Sequence, residues 1–162
     1  MKIAVIGAIG QLGSDVCKMV LENKGDVVPL THEMVEVSEA ESVNDVLGKV
    51  LPAVVINTSA MHHVDACEGD PGSALKVNAI GARNLAVASS KLGYLLAHFS
   101  TDYVFDGQKG APYTETDCPN PVNAYGVSKL AGELFIRKIA ERYFIFRVSG
   151  LYGMNPCRAK RD

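Results

Sequence analysis

The sequence predicts an α/β domain built on a doubly wound parallel sheet. Three observations carry that prediction. Short β-rich runs alternate with helical patterns along the chain. The strand runs are continuously apolar, as in strands buried on both faces. Each of them leads into a segment long enough for a crossover helix, and right-handed crossovers wind such a sheet in both directions.

The elements follow in order. KIAVIG (2–7) is a strand that ends in glycine. QLGSDVCKMVLENKG (11–25) carries a helical stripe at Leu12, Val16, Met19 and Val20, with Gly25 as the expected C-cap. DVVPL (26–30) is a second strand. Ser42 to Leu51 reads as a helix capped near Ser38. AVVINTSA (53–60) is a third strand. Pro71 to Leu92 reads as one long helix closed by Gly93, and YLLAHFST (94–101) as a fourth strand. Residues 102–122, with their prolines, glycines and acids, form a long loop. NAYGVSKLAGELF (123–135) opens the last helix, and YFIFRVS (143–149) is a fifth strand. The expectation is a sheet covered by helices on both faces.

Composition excludes several classes. A chain of 162 residues, 48% hydrophobic, suits one domain with a real core. Sixteen Lys and Arg against eighteen Asp and Glu give a net charge of −2, too even for a dedicated nucleic-acid or anionic-membrane binder. Cys17, Cys67, Cys118 and Cys157 form no Cys-x-x-Cys pair and are read as free thiols of a reducing compartment. No apolar run approaches the ~20 residues of a membrane span. MKIAVIG lacks the form of a signal peptide, so a soluble cytoplasmic protein is expected. His62 and His63 are adjacent, point different ways and have no further ligand at helical spacing, so no metal site is expected. Asp65, Glu68 and Asp70, with Glu115, Thr116 and Asp117, read as solvated loop groups.

The first turn carries a binding signal. GAIGQLG sets Gly7, Gly10 and Gly13 directly between strand one and helix one. Such a turn permits a tight bend, lets backbone approach a pyrophosphate and lets helix pack closely on strand. The helix N-terminus adds free N–H groups and a positive dipole end. A dinucleotide is the expected ligand, with Gly7, Gly10, Gln11, Leu12 and Gly13 around its pyrophosphate. After strand two, VVPLTHEMVEV has neither an acid directly at the strand end nor an arginine, so NAD and NADP stay equally open. Thr31 and His32 are the expected ribose neighbours.

The chemistry centres on the last helix. On a wheel, Val127, Leu130, Ala131, Leu134 and Phe135 form the expected core stripe, while Tyr125 and Lys129 lie together on the other side with Gly132 beneath them. A neighbouring ammonium stabilises a phenolate, so the tyrosine exchanges a proton more readily. Strand four ends in Ser100 and Thr101, at the edge where ligands bind in open α/β sheets. A hydroxyl there could hold a carbonyl oxygen beside the phenol.

These stretches resemble the extended short-chain dehydrogenases/reductases, and within them the dTDP-4-dehydrorhamnose reductases. The resemblance rests on GAIGQLG, NTSAMHHVDACE, VNAIGARNLA, STDYVFDG, PYTETDCPNPVNAYGVSKLAGE and RVSGLYG, and it spans nearly the whole chain. It implies a Rossmann-like domain over 1–162, NADPH or NADH as cofactor, and reduction of the 4-keto group of a nucleotide-linked deoxysugar. It implies that Tyr125 donates the proton, that Lys129 lowers the phenol's pKa and grips the nicotinamide ribose, and that Thr101 bonds the carbonyl. Asn57, Ser59, Ala60 and Met61 would line the cofactor, and Tyr103 would touch the sugar. Related dehydratases carry Thr-Asp-Glu where this chain has Thr101, Asp102 and Tyr103, so plain reduction is expected. Asn78 could brace the site or simply pack its helix. The chain departs from the pattern at Met61 and His62, where the family commonly has Tyr-Thr, and at Gly150, where a tryptophan is frequent. The family's sugar-binding residues lie mainly in a C-terminal part not found here, so a fragment of a longer chain is expected after RVSGLYGMNPCRAKRD. A regulatory subunit like the β subunit of methionine adenosyltransferase, or another sugar-nucleotide reductase or epimerase, shares the resemblance. The oligomeric state is open, a homodimer included.

Overall fold

The computed structural model describes residues 1–154, and Cys157 lies outside them. Among these residues five parallel strands make one sheet: β1 (Lys2–Ile6), β2 (Asp26–Leu30), β3 (Val54–Asn57), β4 (Leu95–Thr101) and β5 (Tyr143–Val148). Their order is β2-β1-β3-β4-β5, so the doubly wound, Rossmann-like expectation holds. The chain steps from β1 to β2 in one direction and from β2 to β3 in the other. That reversal opens a crevice at the carboxyl ends of β1 and β3.

The helices are α1 (Gln11–Glu22), α2 (Ala40–Val50), α3 (Val64–Gly69), α4 (Pro71–Leu75), α5 (Gly81–Leu92) and α6 (Ala124–Ile139). A π-helical turn, Lys76–Ile80, joins α4 to α5, and a 3-10 turn, Asp102–Val104, follows β4. The core lies between the sheet and α2, α5 and α6, around Ile6, Leu30, Leu47, Val55, Leu85 and Leu96.

Helices cover both faces, as expected, but unevenly. Only the β1-to-β2 step runs against the others, so right-handed crossovers put α1 on one face and α2, α5 and α6 on the other. The α1 helix packs on β1 and β2. Over β4 and β5, that face carries no helix among the described residues. Phe99 and Phe146, register partners with rings 5.3 Å apart, lie there, and Phe144 is 57% exposed.

Local chemistry explains the shifted boundaries. Lys24, not Gly25, takes the left-handed conformation after α1 (φ 57°), while Gly25 tucks under Val20. Ser38 donates to Glu36 Oε1 at 2.8 Å instead of capping, and α2 starts at Ala40. The unanticipated α3 is capped by His63, whose Nδ1 accepts from the Ala66 N–H. Two of the supposed loop carboxylates are also caps. Asp70 accepts from the Ser73 N–H at 3.0 Å, and Glu68 accepts from the Ala124 N–H at 2.5 Å. Asp117 binds Lys109 and Thr114 within the long loop.

The face of α6 differs most. Val127 and Leu134, assigned to the core, are 47% and 58% exposed. The buried positions are Gly126, Ser128, Lys129, Gly132, Glu133 and Ile136. Two glycines select this face. A Cβ at 126 would lie 2.2 Å from the Tyr103 carbonyl oxygen, and one at 132 would lie 2.5 Å from that of Asn78. Close backbone approach therefore decides what faces inward, and Val127 and Leu134 of the apolar stripe are left outside while Leu130, Ala131 and Phe135 are partly buried.

Candidate active site

The glycine turn forms one wall of the crevice. Gly7 adopts φ +78°, and its N–H donates to the Leu30 carbonyl at 3.0 Å. The Gly10 N–H donates back to the Gly7 carbonyl at 2.9 Å, closing the turn. Gly10 is the N-cap of α1 and offers no side chain to its first-turn amides. Those N–H groups, from Gln11, Leu12 and Gly13, therefore suit an external anion. Gly13 is needed for closeness: a Cβ there would stand 2.2 Å from the Gly7 carbonyl oxygen and 2.8 Å from Thr58 Oγ1. Thr58, which the sequence reading passed over, pins β3 to β1 by donating to the Ile6 carbonyl at 2.7 Å. Beside the turn lies a cavity of about 780 Å³ whose lining includes Ala8, Ile9, Lys18, Pro29, Thr31 and Met34.

The opposite wall follows β3. Asn57 is buried, and its Oδ1 accepts from the Ser59 N–H (3.1 Å) and from Ser59 Oγ (2.6 Å). Its Nδ2 lies 3.0 Å from His98 Nδ1. The side chains of Asn57 and Ser59 are therefore bonded to one another, and Asn57 reaches on to His98. Asn78 clamps both sides of Met61, accepting from its N–H and donating to its carbonyl, each at 2.9 Å. Asn78 Nδ2 also donates to Ser128 Oγ at 2.9 Å, and Ser128 donates on to the Tyr125 carbonyl at 2.7 Å. The π turn carries Asn78, so one carboxamide ties the loop after β3 to the first turns of α6. Sequence suggested this brace without its partners.

The reactive groups meet at the end of β4. Thr101 is buried, and its hydroxyl stands near enough to the Tyr125 phenol to act on that group's pKa. Its Oγ1 also lies 3.1 Å from Asp102 Oδ1 and accepts from the Tyr103 N–H at 3.2 Å. Tyr103 is 44% exposed and sets its ring edge-on to Tyr125, centroids 5.7 Å apart. Asn123 caps α6 by accepting from the Gly126 N–H at 2.7 Å, fixing Tyr125 in the first turn.

Lys129 is only 2% exposed. Its Nζ donates to the Phe99 carbonyl at 2.6 Å and lies 3.5 Å from His98 Nε2. Burial pulls its pKa down to about 8, with the Glu133 carboxylate pulling the other way. The expected lowering of the phenol by this ammonium is not seen. Burial raises the Tyr125 pKa, the Thr101 hydroxyl opposes it, and the Lys129 charge is directed instead at the Phe99 carbonyl and His98. Among the described residues, no group of three or more His, Cys, Asp and Glu could hold a metal ion. No helix among them is long and apolar enough to cross a membrane.

Fold and site together define a doubly wound α/β domain bearing the Tyr-x-x-x-Lys helix of the extended short-chain dehydrogenases/reductases. The chain belongs to the RmlD substrate binding domain family, whose model matches residues 1–159. It is 41% identical over 152 residues to a dTDP-4-dehydrorhamnose reductase of Burkholderia thailandensis, covering 94% of this chain and 51% of that protein. It is 38% identical to the spore coat polysaccharide biosynthesis protein SpsK of Bacillus subtilis, covering 94% of this chain and 54% of that protein. A crystal structure of a dTDP-4-dehydrorhamnose reductase from Clostridium acetobutylicum superposes with TM-score 0.94 at 40% identity, over 99% of this chain and 57% of that one. The Bacillus anthracis reductase, solved in complex with NADP, gives 0.90 at 38% identity, over 93% of this chain and 54% of that one. The chain thus spans about half the length of the curated relatives it matches.

Proposed function

We propose that residues 1–162 form the dinucleotide-binding and proton-donating part of an NADPH- or NADH-dependent reductase acting on the 4-keto group of a nucleotide-linked deoxysugar. The observation that carries this reading is Tyr125 in the first turn of α6 beside Thr101, whose hydroxyl acts to lower the phenol's pKa, with Lys129 buried one turn further along the helix. The names and bound ligands of the relatives support the substrate class and the cofactor.

The residues fit a dinucleotide, because the glycine turn leaves no room for side chains where a pyrophosphate would lie against backbone. Gly7, Gly10, Gln11, Leu12 and Gly13 would hold the pyrophosphate, and Thr31 would flank the adenosine end. The backbone of Asn57, Ser59, Ala60 and Met61 would line the nicotinamide end. A reduced nicotinamide bound there supplies the hydride. Thr101 orients the substrate carbonyl by turning its one hydroxyl proton from Asp102 Oδ1 to that oxygen. Tyr125 delivers its phenolic proton to that oxygen as negative charge develops on it. Lys129 offers N–H groups to ribose hydroxyls. Tyr103 gives the sugar an apolar face.

The test is an absorbance assay of the protein carrying this chain, with NADPH or NADH and a panel of keto-sugar nucleotides. Consumption of reduced dinucleotide is expected with a dTDP-linked 4-keto-6-deoxyhexose. Tyr125→Phe should lower the rate at least about 100-fold, the scale of general-acid catalysis. Dinucleotide affinity should stay within a few-fold. Activity that survives Tyr125→Phe removes the proposed acid. Dinucleotide binding without turnover of any keto sugar favours a regulatory subunit.

A further inference from the structure

The hydrogen bonds behind the crevice fix a proton position that the reaction scheme leaves unspecified. Ser59 N–H can only donate, so the atom of Asn57 facing it is the carbonyl oxygen, and the amide nitrogen must face His98. An amide NH₂ can only donate as well. His98 Nδ1, 3.0 Å away, therefore accepts with its lone pair. His98 is 1% exposed, and burial first, then the Lys129 charge, hold its pKa well below the ordinary imidazole value. The ring is neutral, so its single proton sits on Nε2.

That Nε2–H points at Lys129 Nζ, 3.5 Å away. An ammonium has three N–H groups and no lone pair, so it cannot accept from Nε2. A neutral amine can: it donates to the Phe99 carbonyl at 2.6 Å and receives Nε2–H on its lone pair. We propose that Asn57 locks His98 in the Nε2–H tautomer, and that this ring is a positioning residue which disfavours the ammonium form of Lys129 and so governs when that side chain carries a proton. The functional consequence rests on the reductase reading, in which Lys129 serves Tyr125.

Several other groups bear on the same region. Tyr125 and Glu133 flank Lys129 on α6, and Glu133 is bound by Arg147 of β5 and Ser100 of β4. Cys67 of α3 and Asp102 of the 3-10 turn act on Tyr125. Glu133 favours the ammonium form, whereas His98 turns an N–H toward it.

The experiment uses the 162-residue chain with ¹⁵N-labelled histidine and ¹³C-labelled lysine. A long-range ¹H–¹⁵N spectrum should show His98 as the Nε2–H tautomer throughout pH 6 to 9. The Lys129 Cε signal should titrate near pH 8. Asn57→Leu frees Nδ1 and lets the ring turn a lone pair to the ammonium. The Lys129 midpoint should then rise by about one pH unit, a tenfold gain in proton affinity. Should that variant fail to fold, Asn57→Asp serves instead: its carboxylate accepts from Nδ1–H, and the spectrum should show the ring switched to the Nδ1–H tautomer. A wild-type ring protonated on Nδ1 or on both nitrogens overturns the proposal, and so does a Lys129 midpoint that stays in place when Asn57 is replaced. Neither measurement uses cofactor or turnover, so its failure is distinct from failure of the reductase assay.

Discussion

Two buried charges stand one turn apart on α6 and have opposite surroundings. Glu133 is wholly enclosed, and its carboxylate is met by Arg147 Nε at 2.9 Å and Nη2 at 2.7 Å, by Ser100 Oγ at 2.6 Å and by Arg137 Nη2 at 3.3 Å. Lys129 is just as enclosed and touches no carboxylate. It has one carbonyl and one imidazole. A charge paired on every side holds elements together, here β4, β5 and α6. A charge without a counterion resists its own ionisation and titrates near neutrality. The helix thus carries a fastening point and a proton-handling group on one buried face.

The sharpest break of this comparison is removal of the fastening. Glu133→Ala leaves the Arg147 guanidinium, already with one buried nitrogen unpartnered, facing no anion. The expected loss is about 3–5 kcal/mol, measured by urea unfolding. Adding Arg147→Met should recover much of it. A loss under about 1 kcal/mol would make Glu133 no more than a bystander.

Lys129 should behave oppositely. Its folded pKa lies below the unfolded value of 10.5, at about 8. Below pH 8 both states hold the proton, and the folded state bears the full penalty of a buried ammonium. Between pH 8 and 10.5 the unfolded chain keeps a proton that the folded chain has released, so stability rises with pH. The difference between wild type and Lys129→Met, followed by unfolding across pH 7 to 11, should change by on the order of 3 kcal/mol in that window. A difference that stays flat with pH would mean that Lys129 ionises as freely inside as outside.

The contrast also shows what the sequence could carry. The strand positions and the glycine turn were legible because both are local: apolar runs mark buried strands, and glycines at 7, 10 and 13 mark a place where backbone meets backbone. Tyr125 and Lys129 were legible as an i, i+4 pair. The buried face of α6 was not. Periodicity located an apolar stripe, but Val127 and Leu134 of that stripe are exposed, and Gly126 and Gly132 turned the polar face inward. The settings of the two charges were illegible for a related reason. His98 and Lys129 are 31 residues apart, and Asn57 and His98 are 41 apart. Nothing local in AHFST says that its histidine will be enclosed between an amide and an amine. The π turn carrying Asn78 likewise leaves no spacing signal, because its extra residue disturbs the period by which a helix is read.

The finest comparison uses Ser100, which serves only the paired charge. Its hydroxyl donates to Glu133 Oε1 at 2.6 Å, yet the same oxygen also receives Arg147 Nε at 2.9 Å. Ser100→Ala therefore removes one donor from an acceptor that keeps another. The expected loss is about 1–2 kcal/mol by urea unfolding, below that of Glu133→Ala and above that of an exposed site. The carboxylate keeps both arginines, so the Lys129 titration should not move by NMR. A Lys129 midpoint shifted by Ser100→Ala would show that the two charges act as one coupled unit, and the division between fastening and proton handling would fail.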